Sequence, residues 1–188
     1  PYVSGIPAFR AFVSSLLGSF PTLNAMPAAT FEQLTAPVTD LRDLGPTALK
    51  AWLWLVPDTF TAVFLTALGD LFLESEEGAI HFLDTGAGTL TPVAISREDW
   101  KDQMQVPERL AYWFQPAFVS ELLGAGYSLS AGELFSPTIP FILGGKQTTA
   151  NFTPSHWLAH LHVLGQVHRQ VKGLPEGTPV TNINIEPW

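Results

Sequence analysis

Four of the chain's five histidines fall in one stretch, HWLAHLHVLGQVHRQ, running from His156 to Gln170. Imidazoles at this density are the raw material of a metal centre or of proton transfer. His156 and His160 stand one helical turn apart and could offer two ligands to a zinc ion. His168 lies roughly 12 Å beyond His160 along a helix axis and cannot join them. No sequence pattern names a third ligand, and Trp157 stands where a zinc-protease helix would carry its glutamate. The expectation is that the protein holds no metal, His156 and His160 being the candidate ligands if it does. Otherwise the histidines are hydrogen-bonded at the edge of a core.

Other catalytic chemistry finds little material. The chain has no cysteine, so thiolate ligands, disulfides and a cysteine nucleophile are excluded. FILGGKQTT has two adjacent glycines, but Gln147 follows Lys146 where a phosphate loop needs serine or threonine, so a turn is expected. No G-x-S-x-G elbow is present. Asp70, Glu74 and Asp84 lie in adjacent extended runs, yet acids on a hairpin are more often solvated than paired as general acid and base. No catalytic residue and no cofactor are expected. An enzyme using His156 and His160 is the last of the readings carried forward, to be tested by metal analysis.

Charge gives the clearest bound. Of a formal net charge of -8, residues 51–100 carry -7: Asp58, Asp70, Glu74, Glu76, Glu77, Asp84, Glu98 and Asp99 against Arg97 alone. Such a face opposes direct binding to a phosphate backbone, which needs lysine and arginine, and suits a basic protein partner. A solvated face that keeps the protein soluble is the competing explanation. The longest apolar runs, such as AWLWLV, fall far short of the ~20 residues of a membrane span.

The elements that must hold these residues follow from local pattern. An amphipathic helix is expected over Ala8 to Leu17, and a short one opening at Gly45-Pro46 and running through Leu49. Trp52 and Trp54 read as easily as a strand. From Thr61, TAVFLTA, GDLFLE, AIHFLD and TLTPVA form four β-rich runs separated by SEEG and TGAG turns, a meander. Ser96 and Asp99 make a capping box for a helix from Arg97 towards Gln105, and another helix runs from about Pro116 to Leu123. Thr153 as N-cap, Pro154 at N1 and Gly173 beyond the end bracket a helix from Pro154 to about Lys172. The alternation of TNINIE predicts a half-buried terminal strand. The fold class is α+β: an antiparallel meander packed with several helices, including a long C-terminal amphipathic helix followed by a strand.

GDLFLESEEGAIHFLDTGAGTLTPVA, followed downstream by PFILGG, Asn151 and LGQVHRQVKGLPEGT, resembles a bacterial family: the C-terminal domain of type VI secretion immunity proteins. The resemblance spans about Trp52 to Ile185. Its pieces fall in family order, from Gly69-Asp70-Leu71-Phe72 and His81-Phe82-Leu83-Asp84 to Pro140, Gly144-Gly145, Leu164-Gly165-Gln166, His168, Leu174-Pro175 and Gly177. It implies a main domain over 51–188, with 1–50 a helical or irregular segment packed on it, in the place where many relatives carry a GAD-like part. It further implies a non-enzymatic protein of the bacterial cytoplasm that binds a cognate toxin, typically a DNase effector and so a basic nuclease, without touching nucleic acid or membrane. Asp70, Glu74, Glu76, Glu77 and Asp84 are the partner-binding candidates. The alternative is an interaction or regulatory module of the same fold with no toxin partner.

Overall fold

The structure, a computed structural model, describes residues 29–30, 32–37, 46–175 and 177–187; the helix expected over Ala8 to Leu17 lies outside them. The four β-rich runs form one antiparallel sheet, β1 (Thr61–Leu65), β2 (Leu71–Glu74), β3 (Ile80–Asp84) and β4 (Thr89–Ala94), in that spatial order. Successive side chains point to opposite faces of a strand. The register sets Phe72 opposite both Phe64 and Phe82, and Leu71 opposite both Leu65 and Leu83. The sheet therefore has a phenylalanine face and a leucine face, and each is covered by helices.

The phenylalanine face packs against α2 (Arg97–Gln103), α3 (Pro107–Phe114) and α4 (Pro116–Gly124). Phe72 is its centre, with ring centroids 4.7 Å from Trp100 and 5.3 Å from Trp113. Truncating a phenylalanine so enclosed costs about 3–5 kcal/mol. The leucine face packs against α5 (Trp157–Val171) and against α1 (Pro46–Leu49), which continues into a 3-10 turn over Lys50–Trp52. Trp52 thus closes a helical turn and Trp54 sits two residues beyond it, neither of them in a strand. Their indole N–H groups donate to the carbonyls of Leu161 at 2.9 Å and Gly165 at 3.2 Å. Gly165 permits this approach, since a Cβ there would lie 2.8 Å from the Ala51 backbone.

Local chemistry sets the boundaries where it meets no competitor. The Ser96 hydroxyl accepts from the Asp99 N–H at 3.1 Å and the Asp99 carboxylate accepts from the Ile95 N–H at 2.9 Å, so α2 starts where the capping box places it. Gly173 adopts φ +83°, the left-handed conformation that ends α5. The start of α5 differs from expectation. Residues Phe152–His156 form a strand, β6, paired with β5 (Glu133–Pro137), and Pro154 stands opposite Phe135. Ladder pairing outweighs the Thr153-Pro154 cap signal. The helix begins at Trp157, capped by His156 Nδ1, which accepts from the Leu158 N–H at 3.2 Å.

The last segment also differs. Residues 177–187 are in no strand; Asn184 and Glu186 are held against α5 by its glutamines. Gln166 accepts from the Glu186 N–H at 2.8 Å and donates to the Glu186 carbonyl at 3.1 Å. Gln170 does the same with Asn184, at 3.1 and 2.8 Å. Side-chain amides here take the place of a neighbouring strand.

Candidate functional site

At one end of the sheet the β1–β2 and β3–β4 turns come together, because adjacent antiparallel strands bring Asp70, just before β2, beside Asp84, the last residue of β3. Asp70 is only 6% exposed. Its Oδ1 accepts from the Thr85 N–H at 2.8 Å and from the Thr85 hydroxyl at 3.0 Å, tying the two turns together. Asp84 Oδ1 accepts from the Ala87 N–H at 2.7 Å and so caps the β3–β4 turn. Burial, reinforced by the negative charge of Asp84, pushes the Asp70 carboxyl up to about 8 despite the two bonds from Thr85.

From α5, His160 completes a buried chain of hydrogen bonds. Its Nε2 lies 3.1 Å from the Thr85 hydroxyl and its Nδ1 lies 2.8 Å from the Ser136 hydroxyl on β5. With the Thr85 proton directed at Asp70, Nε2 must carry the imidazole proton and donate to Thr85, and Nδ1 must accept from Ser136. Burial holds the ring neutral by lowering its pKa to about 3. His168, also buried and held below its usual value chiefly by burial, donates from Nε2 to the Thr85 carbonyl at 3.0 Å. Both histidines occupy space left by glycines: Cβ atoms at Gly69 (φ +94°) and Gly88 (φ +67°) would come within 2.2 Å of the His160 ring and 2.4 Å of the His168 ring.

These turns floor a small cleft, partly open to solvent. Gln115, Gln147 and Phe141 supply its other walls. Gln115 joins α3 to α4 with φ +45°, a left-handed conformation that costs a non-glycine residue of order 1 kcal/mol. Its side-chain carbonyl accepts from the Gln147 amide. The Phe141 loop is pinned by Asn151, whose amide accepts from the Ile139 N–H at 2.9 Å and donates to the carbonyls of Ile139 and Lys146, both at 3.0 Å. Gly144-Gly145 is thus a braced turn, as its sequence indicates. Beside the cleft, Tyr112 is 62% exposed, its phenol held above its usual value by burial and then by Asp84.

The five acidic candidates do not form one patch. Asp70 and Asp84 belong to the cleft, whereas Glu74, Glu76 and Glu77 lie around the β2–β3 turn at the opposite end of the strands. Glu74 is held by Arg97 through two hydrogen bonds, one of 2.8 Å from Nε. Glu76 and Glu77 are exposed, whereas Asp70 is buried at the floor of the cleft, unlike the solvated hairpin position expected of it. His156 and His160 do not act together: the first caps α5, and both nitrogens of the second are engaged by Thr85 and Ser136. Among the described residues no group of three or more histidines and acids could hold a metal ion. Ser136, His160, Thr85 and Asp70 have the composition of a nucleophilic relay, yet Ser136 is 9% exposed and does not line the cleft. Its hydroxyl is engaged by His160 Nδ1 at 2.8 Å. Thr85, Gln115, Ser136 and Gln147 carry no sequence signal for this role, apart from the break that Gln115-Pro116 makes between two helical runs.

The fold and cleft define an α+β domain in which Asp70, Thr85, His160 and Ser136 form one buried hydrogen-bonded chain beneath the cleft. Residues 94–168, from the end of β4 into α5, match the family model described as T6SS immunity protein Tdi1, C-terminal. The type VI immunity resemblance therefore holds over that span, which includes Tyr112, Gln115, Phe141, Gln147 and His160. A crystal structure of Atu4351 from Agrobacterium tumefaciens is similar at 15% identity, covering 88% of this chain and 82% of that one, with a TM-score of 0.48. No curated protein matches the chain. Among the described residues no helix is long and apolar enough to cross a membrane.

Proposed function

We propose that this protein is an immunity protein that binds a cognate secreted antibacterial toxin, a type VI DNase effector, and neutralises it by occluding its active site or DNA-binding surface. The match of residues 94–168 to the immunity family carries the reading. Charge supports the nature of the partner: a nuclease grips DNA with lysine and arginine, and the -7 of residues 51–100 is complementary to such a surface. On this reading Glu76 and Glu77 steer an approaching basic surface, Asp84 meets it at the cleft mouth, and Asp70 acts from the cleft floor. Glu74, paired with Arg97, contributes less net field. The inhibitor works in the cytoplasm of the toxin's producer and its kin and does no chemistry of its own.

Coexpression with the candidate toxin from the reading frame beside its gene, expected to be a nuclease, tests this. Growth should be rescued, and the two proteins should purify as one complex. A nuclease that still kills, and does not co-purify, refutes the pairing.

A further inference from the structure

We infer that the cleft between the β1–β2 and β3–β4 turns is a socket for one cationic side chain, a lysine or arginine projected by the protein partner. The inference rests on the immunity reading for the identity of that partner, but the socket itself is argued from its own atoms. Asp70 is more than nine-tenths buried and lines the cleft, and both hydrogen bonds it accepts fall on Oδ1. Oδ2 has no hydrogen-bond partner among the described residues. Asp84 lines the same space, and no lysine or arginine does among the described residues. Two carboxyl groups therefore share a half-enclosed site without a basic side chain: the charge of Asp84 repels anions, and a neutral guest leaves it uncompensated.

A guanidinium or ammonium answers each feature. It donates to Oδ2, balances Asp84, and lies near the Phe141 ring, whose face attracts cations. The space suits a side-chain tip and not a nucleotide or a folded element. Near neutrality the carboxyl of Asp70, held up to about 8, keeps its proton in the empty cleft. The arriving cation lowers that pKa, and the proton leaves to solvent as the ion pair forms. The other titratable groups facing this exchange are Asp84 from β3, Tyr112 from α3 and His160 from α5. A nuclease residue captured in this way is lost to phosphate binding, which links the socket to inhibition.

Two measurements on the full chain test the socket. In the first, N-ethylguanidinium is titrated into the 15N-labelled protein. Saturable shifts should appear at the Thr85, Gly86 and Gln115 amides in the ~1–50 mM range, and N-ethylurea should give none. Asp84→Asn should weaken the binding roughly tenfold. Asp84 also caps a turn, so Asp70→Asn, which keeps an oxygen for Thr85, is the second variant and should do the same. Absence of saturable shifts, or equal binding by wild type and Asp70→Asn, overturns the socket whatever the partner proves to be. In the second, the candidate nuclease from the adjacent reading frame is bound to wild type and to Asp70→Asn, with proton release read by calorimetry in buffers of different ionisation enthalpy. Weaker binding and lost proton release support the socket. Equal affinity and equal release overturn it while the immunity reading stands. A nuclease that ignores the protein, beside saturable guanidinium binding, refutes the immunity reading and supports the socket.

Discussion

Replacing Asp70 by asparagine should make the protein more stable, and increasingly so as the pH rises from about 4 to 8. An ordinary aspartate titrates near 3.8, while in the fold Asp70 is pushed up to about 8, first by burial and then by Asp84. The folded protein holds the proton more tightly than the unfolded chain. Its contribution is fully present below about 4 and is lost as the pH rises through the folded value. At about 1.4 kcal/mol per pH unit, the loss by pH 7 has a ceiling of about 4 kcal/mol. Asparagine keeps an acceptor for Thr85 and cannot ionise, so it escapes that loss. The expected gain is about 2–4 kcal/mol at pH 7 and close to zero at pH 4, the lower figure allowing for solvent at the cleft mouth and for titration shared with Asp84. Urea unfolding of both proteins in buffers across this range measures it, provided the denaturant slopes agree. A difference that does not change with pH, or an asparagine variant less stable throughout, would refute the assignment of Asp70 as a buried, protonated acid.

His160 should act in the opposite sense. Its pKa, lowered to about 3 by burial, makes its contribution intact above about 6.5 and progressively lost as the pH falls towards 3, so His160→Gln should flatten the acid limb of a urea-derived stability profile. Gly88→Ala should cost about 2–4 kcal/mol in thermal or urea unfolding, because the new methyl meets the His168 ring at a left-handed backbone position; an unchanged midpoint would contradict the packing. Reversing Glu76 and Glu77 to lysine should slow association with the basic nuclease and weaken its salt dependence in stopped-flow mixing, with little change in stability; unchanged kinetics would place the interface elsewhere. Gln166→Ala with Gln170→Ala should speed amide exchange at Asn184 and Glu186 while α5 stays protected, whereas slow exchange would mean that other contacts hold the tail.

The sheet and its sandwiching helices are largely legible in the sequence, because apolar runs such as LFL and HFL are bounded by turn residues and Ser96 competes with nothing for its cap. One departure has a plain cause: Pro154 signals a helix start, but that signal is worth about 1 kcal/mol or less and pairing with β5 outweighs it. Trp52-x-Trp54, which reads equally well as a strand, is decided by packing on α5. Helix α3 lies outside the expected elements although it carries the usual marks, Pro107 at N1 and Leu110, Trp113 and Phe114 on one face. The burial of His160 and His168 follows from helical spacing alone. The cleft does not, since Asp70, Thr85, Gln115, Gln147 and His160 come from five separate segments, and the Thr85 bond to His160 spans 75 residues. The acids look like one group because they are neighbours in sequence. Antiparallel strands send the β2–β3 turn to one end and its flanking turns to the other, which divides them.

The two glutamines that hold the terminal segment form a vernier between unlike rulers. Four residues of helix advance about 6.0 Å, and two residues of extended chain about 6.6–6.8 Å. Gln166 and Gln170 can therefore meet Glu186 and Asn184 in step, with a slip of under about 1 Å per rung. A third rung would double the error, and His162 shares the Glu186 carbonyl, at 2.7 Å, instead of opening one. Sliding the tail by one residue would turn its amides away from the glutamines, and sliding by two would require both rungs to break together. The registration is thus all or none, a latch with a single notch, even though no strand stands beside it.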